Sequence, residues 1–514
     1  MKIDRKKNAV SGTFWGTIKK LINILFPFVT RTVFIGTLGV EYLGLSSLFS
    51  SILQVFNLAE LGISSALVFS MYKPIVDDDN DKICALMNLY KTCYRVIGLV
   101  ILGIGLILTP VIPFLINDDI PSDINIYVIY LMNLGATVLS YWLFAYRNSI
   151  LNAHQRTDII SIIGSVVQVV ASSLQLICLI RFHNYYVYLI ISILSTIAVN
   201  IITSITSKKL YPQFSAKGML SKAERTEIFA KVRDLFTAKM GAVINHSTDS
   251  VVISAFLGLG ILAVYQNYYY IVTTVMGFFL VFYEACSAGI ANSLIVKGEK
   301  ENRQLLYNIN HCSFFILNFC VTSLVCLYQP FMELWIGKGY LLDFDMVILF
   351  AIYLVAEIAP RTIVVFKDAG GIWRNDRFRP LVVSISNLMI NIVLVNIIGL
   401  KGVLISTIMT LLFIGYPWLI QNINSTLFPL DLKRYLALLV RYSLTMVACG
   451  MISYRVCGLF TYDNLIIVLL CRGIVCLILP NIIFLLLFKN MEETKYFMDM
   501  FNNVGKKIRK GYLK

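Results

Sequence analysis

The chain has 514 residues, of which 58% are hydrophobic and 14% charged, against roughly 45–50% and about 25% in ordinary soluble domains. So little polar surface cannot cover a fold in water, which excludes a soluble enzyme and points to the bilayer as solvent. The formal net charge of +15 invites a nucleic-acid reading, yet the basic residues are scattered along the chain without an aromatic-interleaved patch, and anionic lipid headgroups account for them.

A spanning helix takes about 20 mostly apolar residues. Runs of that kind predict an all-α polytopic protein with fourteen spans, at 13–38, 43–70, 94–116, 124–146, 159–181, 185–207, 234–257, 264–290, 311–330, 346–366, 380–398, 402–424, 436–456 and 465–488. Pro27, Pro110, Pro113, Pro360, Pro417 and Pro480 fall in or beside these runs, where they kink or end helices. The basic stretch from Met1 to Lys7 superficially resembles a signal peptide, but the run behind it is too long and carries Lys19, Lys20 and Arg31. It reads as a retained first helix. With the N-terminus inside, 34 of the 44 Lys and Arg fall in inner segments, and only Arg181, Lys338, Lys401 and Arg455 fall outside. Basic residues gather on the cytoplasmic side, so both termini are predicted to be cytoplasmic.

The longest outer connection is short, near 331–345, so no folded external domain is expected. The basic inner connection 208–233 reads as a linker between halves. A weak internal repeat supports this: Leu38-Gly39-Val40 after the first span parallels Leu257-Gly258-Leu259 after the seventh. Ala59-Glu60-Leu61-Gly62 in the second likewise parallels Ala288-Gly289-Ile290 in the eighth. Two six-helix lobes, 1–207 and 234–424, follow by analogy with parallel-repeat transporters; 425–514 adds spans thirteen and fourteen and a basic tail. The eleven cysteines form no CxxC pair and no metal-like spacing with the four histidines. They are expected to be small core residues, with no metal and no cofactor.

Phe28-Val29-Thr30-Arg31, Leu38-Gly39-Val40-Glu41-Tyr42-Leu43-Gly44-Leu45, Leu58-Ala59-Glu60-Leu61-Gly62, Tyr72-Lys73-Pro74 and Met87-Asn88-Leu89-Tyr90 make up a recognisable opening. Together with Gly371-Ile372-Trp373-Arg374-Asn375-Asp376-Arg377-Phe378-Arg379-Pro380, they resemble bacterial polysaccharide flippases of the O-antigen type. These belong to the multidrug/oligosaccharidyl-lipid/polysaccharide exporter superfamily. The resemblance implies two lobes around a central cavity. It also implies translocation of an undecaprenyl-pyrophosphate-linked oligosaccharide to the outer leaflet of the bacterial cytoplasmic membrane, for surface polysaccharide such as O-antigen or capsule. Partners would be the lipid-linked oligosaccharide, membrane lipids and the polymerase machinery, with a monomeric transport unit and no nucleic acid.

Ionisable residues within spans are costly, about 2.5–3.5 kcal/mol each at mid-helix on insertion scales, and usually face a cavity or a partner. The predicted substrate-binding set is Arg31, Lys239, His246, Asp249, Glu60, Glu284 and Arg361. Arg31 leads because a guanidinium holds pyrophosphate through two parallel hydrogen bonds; a structural ion pair is its alternative. Lys239, His246 and Asp249 share one sector of the seventh span, suiting cavity lining and exchange of H+ or Na+. Arg31 and Asp249, at matching depth in the repeat, could form a gate pair. Headgroup-level exposure is the plainer reading for Glu60 and Glu284, and an i,i+4 salt bridge for Glu357 and Arg361. Arg472 is expected to stabilise the last helix. Tyr265, Tyr268, Tyr269 and Tyr270 suggest an interfacial aromatic belt, and Asp343 and Asp345 a helix start.

Neither Gly337-Lys338 nor Gly505-Lys506 is followed by Ser or Thr, so no phosphate-cradling loop is present and direct ATP hydrolysis is not expected. A cation-coupled multidrug exporter would need an acidic cavity. A membrane glycosyltransferase or polymerase usually carries a large acidic external loop, which is missing here.

Overall fold

The computed structural model describes residues 5–60, 62–118 and 120–499; within helices, the side chains of 5–7, 9, 10, 58, 59, 234, 235 and 237–246 lie outside the described set. The described chain is helical, and it separates into two compact units, Met1–Gln266 and Asn267–Lys514.

The first unit contains α1 (Arg5–Leu38), α2 (Val40–Phe56), α3 (Ile63–Val76), α4 (Asn80–Leu108), α5 (Ile126–Trp142), α6 (Asn148–Ala153), α7 (Thr157–Phe182), α8 (Tyr185–Leu210) and α9 (Lys222–Leu257). A further helix, α10 (Leu259–Val296), begins in this unit and continues into the second. Single glycines join α1 to α2 and α9 to α10. Gly39 has φ 110° and ψ 171°, and Gly258 has φ 94° and ψ 169°. An L side chain rarely adopts such a backbone, so the two turns paired by the repeat share one conformation that calls for glycine.

The loop around Asn117 and Asp118 fastens the α9–α10 turn to the first unit. Asp118 accepts hydrogen bonds from the Leu259 and Gly260 amides at 2.6 and 3.3 Å. The Asn117 side chain donates to the Phe256 carbonyl at 3.1 Å, and the Ser254 hydroxyl to the Leu115 carbonyl at 2.7 Å. These bonds satisfy backbone groups at two helix ends and hold the α9–α10 turn within the first unit. The unit boundary falls after Gln266.

The 208–233 segment is also seated rather than free. The Asn88 side chain donates to the Gly218 carbonyl at 2.8 Å, and Lys82 pairs with Glu224 at 2.7 Å. Glu224 also closes a capping box with Ser221, which starts α9. Tyr211 and Phe214 pack on the buried His154 ring, with centroids 4.3 and 5.7 Å away.

The second unit contains α11 (Glu299–Ile336), α12 (Phe344–Ile358), α13 (Arg361–Ala369), α14 (Arg379–Ile398), α15 (Leu400–Thr410), α16 (Tyr416–Thr426), α17 (Leu432–Cys457) and α18 (Leu465–Phe488). Buried residues lie on every side of α11, which packs against α12, α17 and α18. Asp376 sits in the 371–380 motif, where both its oxygens bond Arg379, at 2.7 and 3.0 Å. It also pairs with the buried Lys367 at 3.2 Å and accepts from the Asn422 amide at 3.0 Å. The motif thus stitches α13, α14 and α16 together.

Among the described residues, eleven helices are long and apolar enough to cross a membrane, or twelve with the pair Ile126–Trp142 and Ala145–Ala153, which bends by 43°. The predicted count of fourteen is therefore not reached on this criterion. The two remaining predicted spans coincide with interrupted or partly described helix. One is α2–α3, broken by a 3-10 turn at Asn57–Glu60 and a left-handed Gly62 with φ 91°. The other is α9, of which Ser247–Leu257 was assessed.

Candidate substrate cavity

Three helices of the first unit each turn a polar stripe toward a common space. On α2, Ser46, Ser47, Ser50, Ser51 and Gln54 recur at helical spacing on one face; on α7, Gln168, Ser172 and Gln175 do the same. From α1, Pro27, Thr30, Arg31 and Phe34 complete a cavity of about 350 Å³, closed by Leu43, Tyr188 and Gln266. Serine is short enough to leave space and polar enough to hold water or a ligand hydroxyl. Hydrogen-bonding stripes of this kind are costly to present to lipid, so their convergence gives each a shared polar environment.

Arg31 is half-buried in this wall, and its Nη1 donates to the Gln266 carbonyl at 3.0 Å. Several neighbouring amides are already oriented: Gln168 donates to Ser172 at 2.9 Å, Gln175 to Ser192 at 2.7 Å and Gln266 to Ser250 at 2.8 Å. Among the described lining residues, Arg31 is the cation and none is Asp or Glu. The arrangement offers one planar positive fork amid neutral donors and acceptors, which suits an anion bearing hydroxyl-rich groups.

Of the other predicted residues, none with a described side chain is part of this lining. Asp249 is buried on α9 and does not line the cavity; Lys239 and His246 have side chains outside the described residues. Glu60 stands in the 3-10 break after α2, half-buried. Its two oxygens accept from the hydroxyls of Tyr94 and Tyr141, the latter at 3.0 Å. Tyr141 also donates to Asn57 at 2.8 Å, and Tyr90 donates to Tyr94 at 3.0 Å. No local spacing announces this cage, because Tyr94 and Tyr141 stand 34 and 81 residues from Glu60.

Glu284 and Arg361 belong to the second unit. Glu284 is exposed on α10 and has no hydrogen bond or ion pair with a described residue. Arg361 pairs with Glu357 at 3.1 Å across the break at Pro360, as the i,i+4 spacing predicts. Of the four tyrosines expected in an interfacial belt, Tyr265 and Tyr268 are instead core residues, 2% and 0% exposed, while Tyr269 and Tyr270 are half-buried. The Tyr268 hydroxyl donates to Gln329 at 3.0 Å and accepts from the Leu342 amide at 3.2 Å, making it a core junction. Asp345 pairs with Lys401 at 2.8 Å at the start of α12. A second cavity, of about 440 Å³, lies within the second unit among α11, α12 and α17, lined by Val321, Ile348, Ala351, Met446 and other mostly apolar groups.

A family model described as polysaccharide biosynthesis protein matches residues 9–287. The fold is similar to that of the lipid II flippase MurJ in an inward closed conformation, with a TM-score of 0.65 and 16% identity over 94% of this chain and 99% of that one. It is also similar to an inward-facing multidrug resistance MATE family transporter of the MOP superfamily, with a TM-score of 0.61 and 13% identity over 79% and 95% of the two chains. A eukaryotic MATE transporter, AtDTX14, aligns with a TM-score of 0.53 and 15% identity over 82% and 96%. No curated protein is a sequence match.

Proposed function

The chain belongs to the polysaccharide biosynthesis protein family, an integral membrane family with the fold of the MOP flippases and exporters, and from that premise we propose that it is a lipid-linked oligosaccharide flippase. Its substrate in this reading is an undecaprenyl-pyrophosphate-linked repeat unit, carried from the inner to the outer leaflet of the bacterial cytoplasmic membrane for surface polysaccharide synthesis. Both termini are cytoplasmic, and the transport unit is a monomer that hands its cargo to a polymerase. Transport proceeds by alternating access, without nucleotide hydrolysis by this chain.

One observation carries the reading: the first unit's cavity is lined by Arg31, serines and glutamines, with no carboxylate among the described residues. A pyrophosphate needs a cation with paired donors, and sugars need neutral hydrogen-bonding partners. A cationic drug needs the opposite charge, which disfavours the multidrug-exporter alternative. Coupling to H+ or Na+ is assigned in this reading to Glu60, a carboxylate held by tyrosine hydroxyls at the break after α2.

Deletion of the gene, with complementation, tests the proposal. Lipid-linked repeat units should accumulate on the inner leaflet, be delivered again when the intact chain is restored, and stay stranded with Arg31→Ala. Normal delivery in a deletion strain lacking redundant transporters would defeat it.

A further inference from the structure

A buried thiol cluster lies far from the polar cavity in sequence and within the second unit. Cys326 on α11, Cys457 at the end of α17 and Cys476 on α18 place their three sulfurs within 4.8 Å of one another. They are 1%, 0% and 1% exposed. Spacing along the chain hides the cluster, since each thiol comes from a different helix. Packing alone would be served as well by alanine or valine at three such positions.

A second feature stands beside it. Arg472 donates from Nη1 to the Cys326 carbonyl at 3.4 Å, its own carbonyl faces the Cys457 thiol at 4.0 Å, and its buried Nε has no hydrogen-bond partner. A guanidinium inside a spanning helix costs about 2.5–3.5 kcal/mol unless its charge is answered. Among the described residues no carboxylate pairs with Arg472, and the sulfurs are the groups next to it that can become anions.

We propose that Cys326, Cys457 and Cys476 form a binding site for a thiophilic divalent d10 metal ion, of the zinc class, with Arg472 balancing its charge. Soft thiolates select such ions. Binding breaks three S–H bonds, releases three protons to solvent and forms three metal–sulfur bonds; three thiolates around a dication carry one net negative charge, which the guanidinium neutralises. Monovalent copper would leave an excess of negative charge in the apolar interior. Zinc–sulfur bonds of about 2.3 Å set sulfurs about 3.8 Å apart in a tetrahedron, within the 4.8 Å that bounds the present separations. The Ser323 side chain reaches Cys476 and offers a hydroxyl oxygen beside the three sulfurs. Once bound, the ion ties α11 to the α17–α18 pair.

The test uses the full-length protein, purified in detergent and stripped of metal, titrated with Cd(II) as spectroscopic probe and separately with Zn(II) and Cu(I). The expected result is one Cd(II) per chain with ultraviolet thiolate-to-metal charge transfer, a higher melting temperature, and a metal-edge absorption spectrum showing three sulfur neighbours. Cys326→Ser, Cys457→Ser and Cys476→Ser should each abolish the charge-transfer band, and Arg472→Gln should weaken affinity by about 10- to 100-fold, as loss of a supporting outer contact does. An unchanged band in the triple serine variant, a shell dominated by oxygen or nitrogen, or binding of Cu(I) without Zn(II) would each overturn the proposal. If the serine variants do not fold, the sulfur count on the unaltered protein decides.

Discussion

The two units hold cavities of opposite character. In the first, serines and glutamines surround one guanidinium in about 350 Å³; in the second, aliphatic side chains and methionines enclose about 440 Å³ with little beyond Ser443 and the Tyr454 ring to offer polarity. Both are walled by helices with apolar faces, and what separates them is which small residues replace leucine along one stripe. A polar pocket holds phosphate and hydroxyls through hydrogen bonds, whereas an apolar one gains about 25 cal/mol for each Å² of hydrocarbon it removes from water. In the proposed flippase reading, the charged head of the substrate calls for the first chemistry and its isoprenoid tail for the second.

One buried charge cluster of the second unit bears on that contrast, because Asp376 and its partners answer one another internally. Asp376 and Lys367 have side chains only 6% and 7% exposed, and breaking a buried pair of this kind costs about 3–5 kcal/mol. Asp376→Ala should therefore produce the largest fall in stability, seen as a lower melting temperature, with substrate affinity unchanged in whatever protein folds. A selective loss of affinity would place ligand-binding charge in the second unit and break the comparison. Arg31→Ala comes next. Loss of charge-assisted contacts worth about 1.5–3 kcal/mol should lower affinity for a pyrophosphate-linked substrate by about ten- to a hundredfold, read by direct binding, with Arg31→Lys between the two.

The apolar cavity makes a subtler claim. Filling it with Ala351→Leu should slow transport of a long polyprenyl carrier more than that of a short-chain analogue, while Arg31→Ala slows both equally. Equal effects of the filled cavity on the two carriers would remove its proposed link to the hydrocarbon. In the first unit, Tyr141→Phe takes hydrogen bonds from both Asn57 and Glu60. It should cost about 1–3 kcal/mol, the usual penalty for leaving buried groups unpaired, and should make transport less sensitive to the ion gradient.

The smallest effect is expected at the seated 211–221 segment. Burial between Tyr211 and Phe214 holds the His154 pKa below its ordinary value, so the folded state favours the neutral ring. Stability from this packing is complete above the unfolded pKa of about 6.5 and declines as pH falls below it toward the folded value. Arg156 and Asp158 lie nearby as an ion pair at 3.0 Å. Hydrogen-exchange protection in 211–221, measured against the intrinsic rate at each pH, should fall between about pH 7 and pH 5.5, and His154→Phe should flatten the profile.

Much of this was legible wherever the signal was local. Arg31 stood out as a charge in an apolar run, and the structure puts it in a cavity wall; Glu357 and Arg361 were readable from one helical turn. The serine stripe of α2 has a visible period, but its meaning depended on α1 and α7 meeting it. The Glu60 cage, the thiol cluster and the partners of Asp376 come from helices distant in sequence, and pairing of that sort leaves no pattern along a single chain. Tyr268 misled for the same reason: an aromatic at the start of an apolar run looks interfacial until Tyr328 and Phe350 are seen packed on it, with centroids 4.9 and 5.9 Å away.

The serines of α2 also bear on biogenesis. That helix has 17 residues, short of the roughly 20 that a span needs to partition alone, and the cavity requires it to be polar along one face. A translocon that weighs each emerging segment by its hydrophobicity has reason to retain α2 until α1, joined to it by one glycine, can enter the lipid with it. The residues that equip the protein to hold its cargo thereby make its second helix dependent on its first during synthesis, and a mutation that weakens α1 would be felt as misinserted topology before it was felt as lost transport.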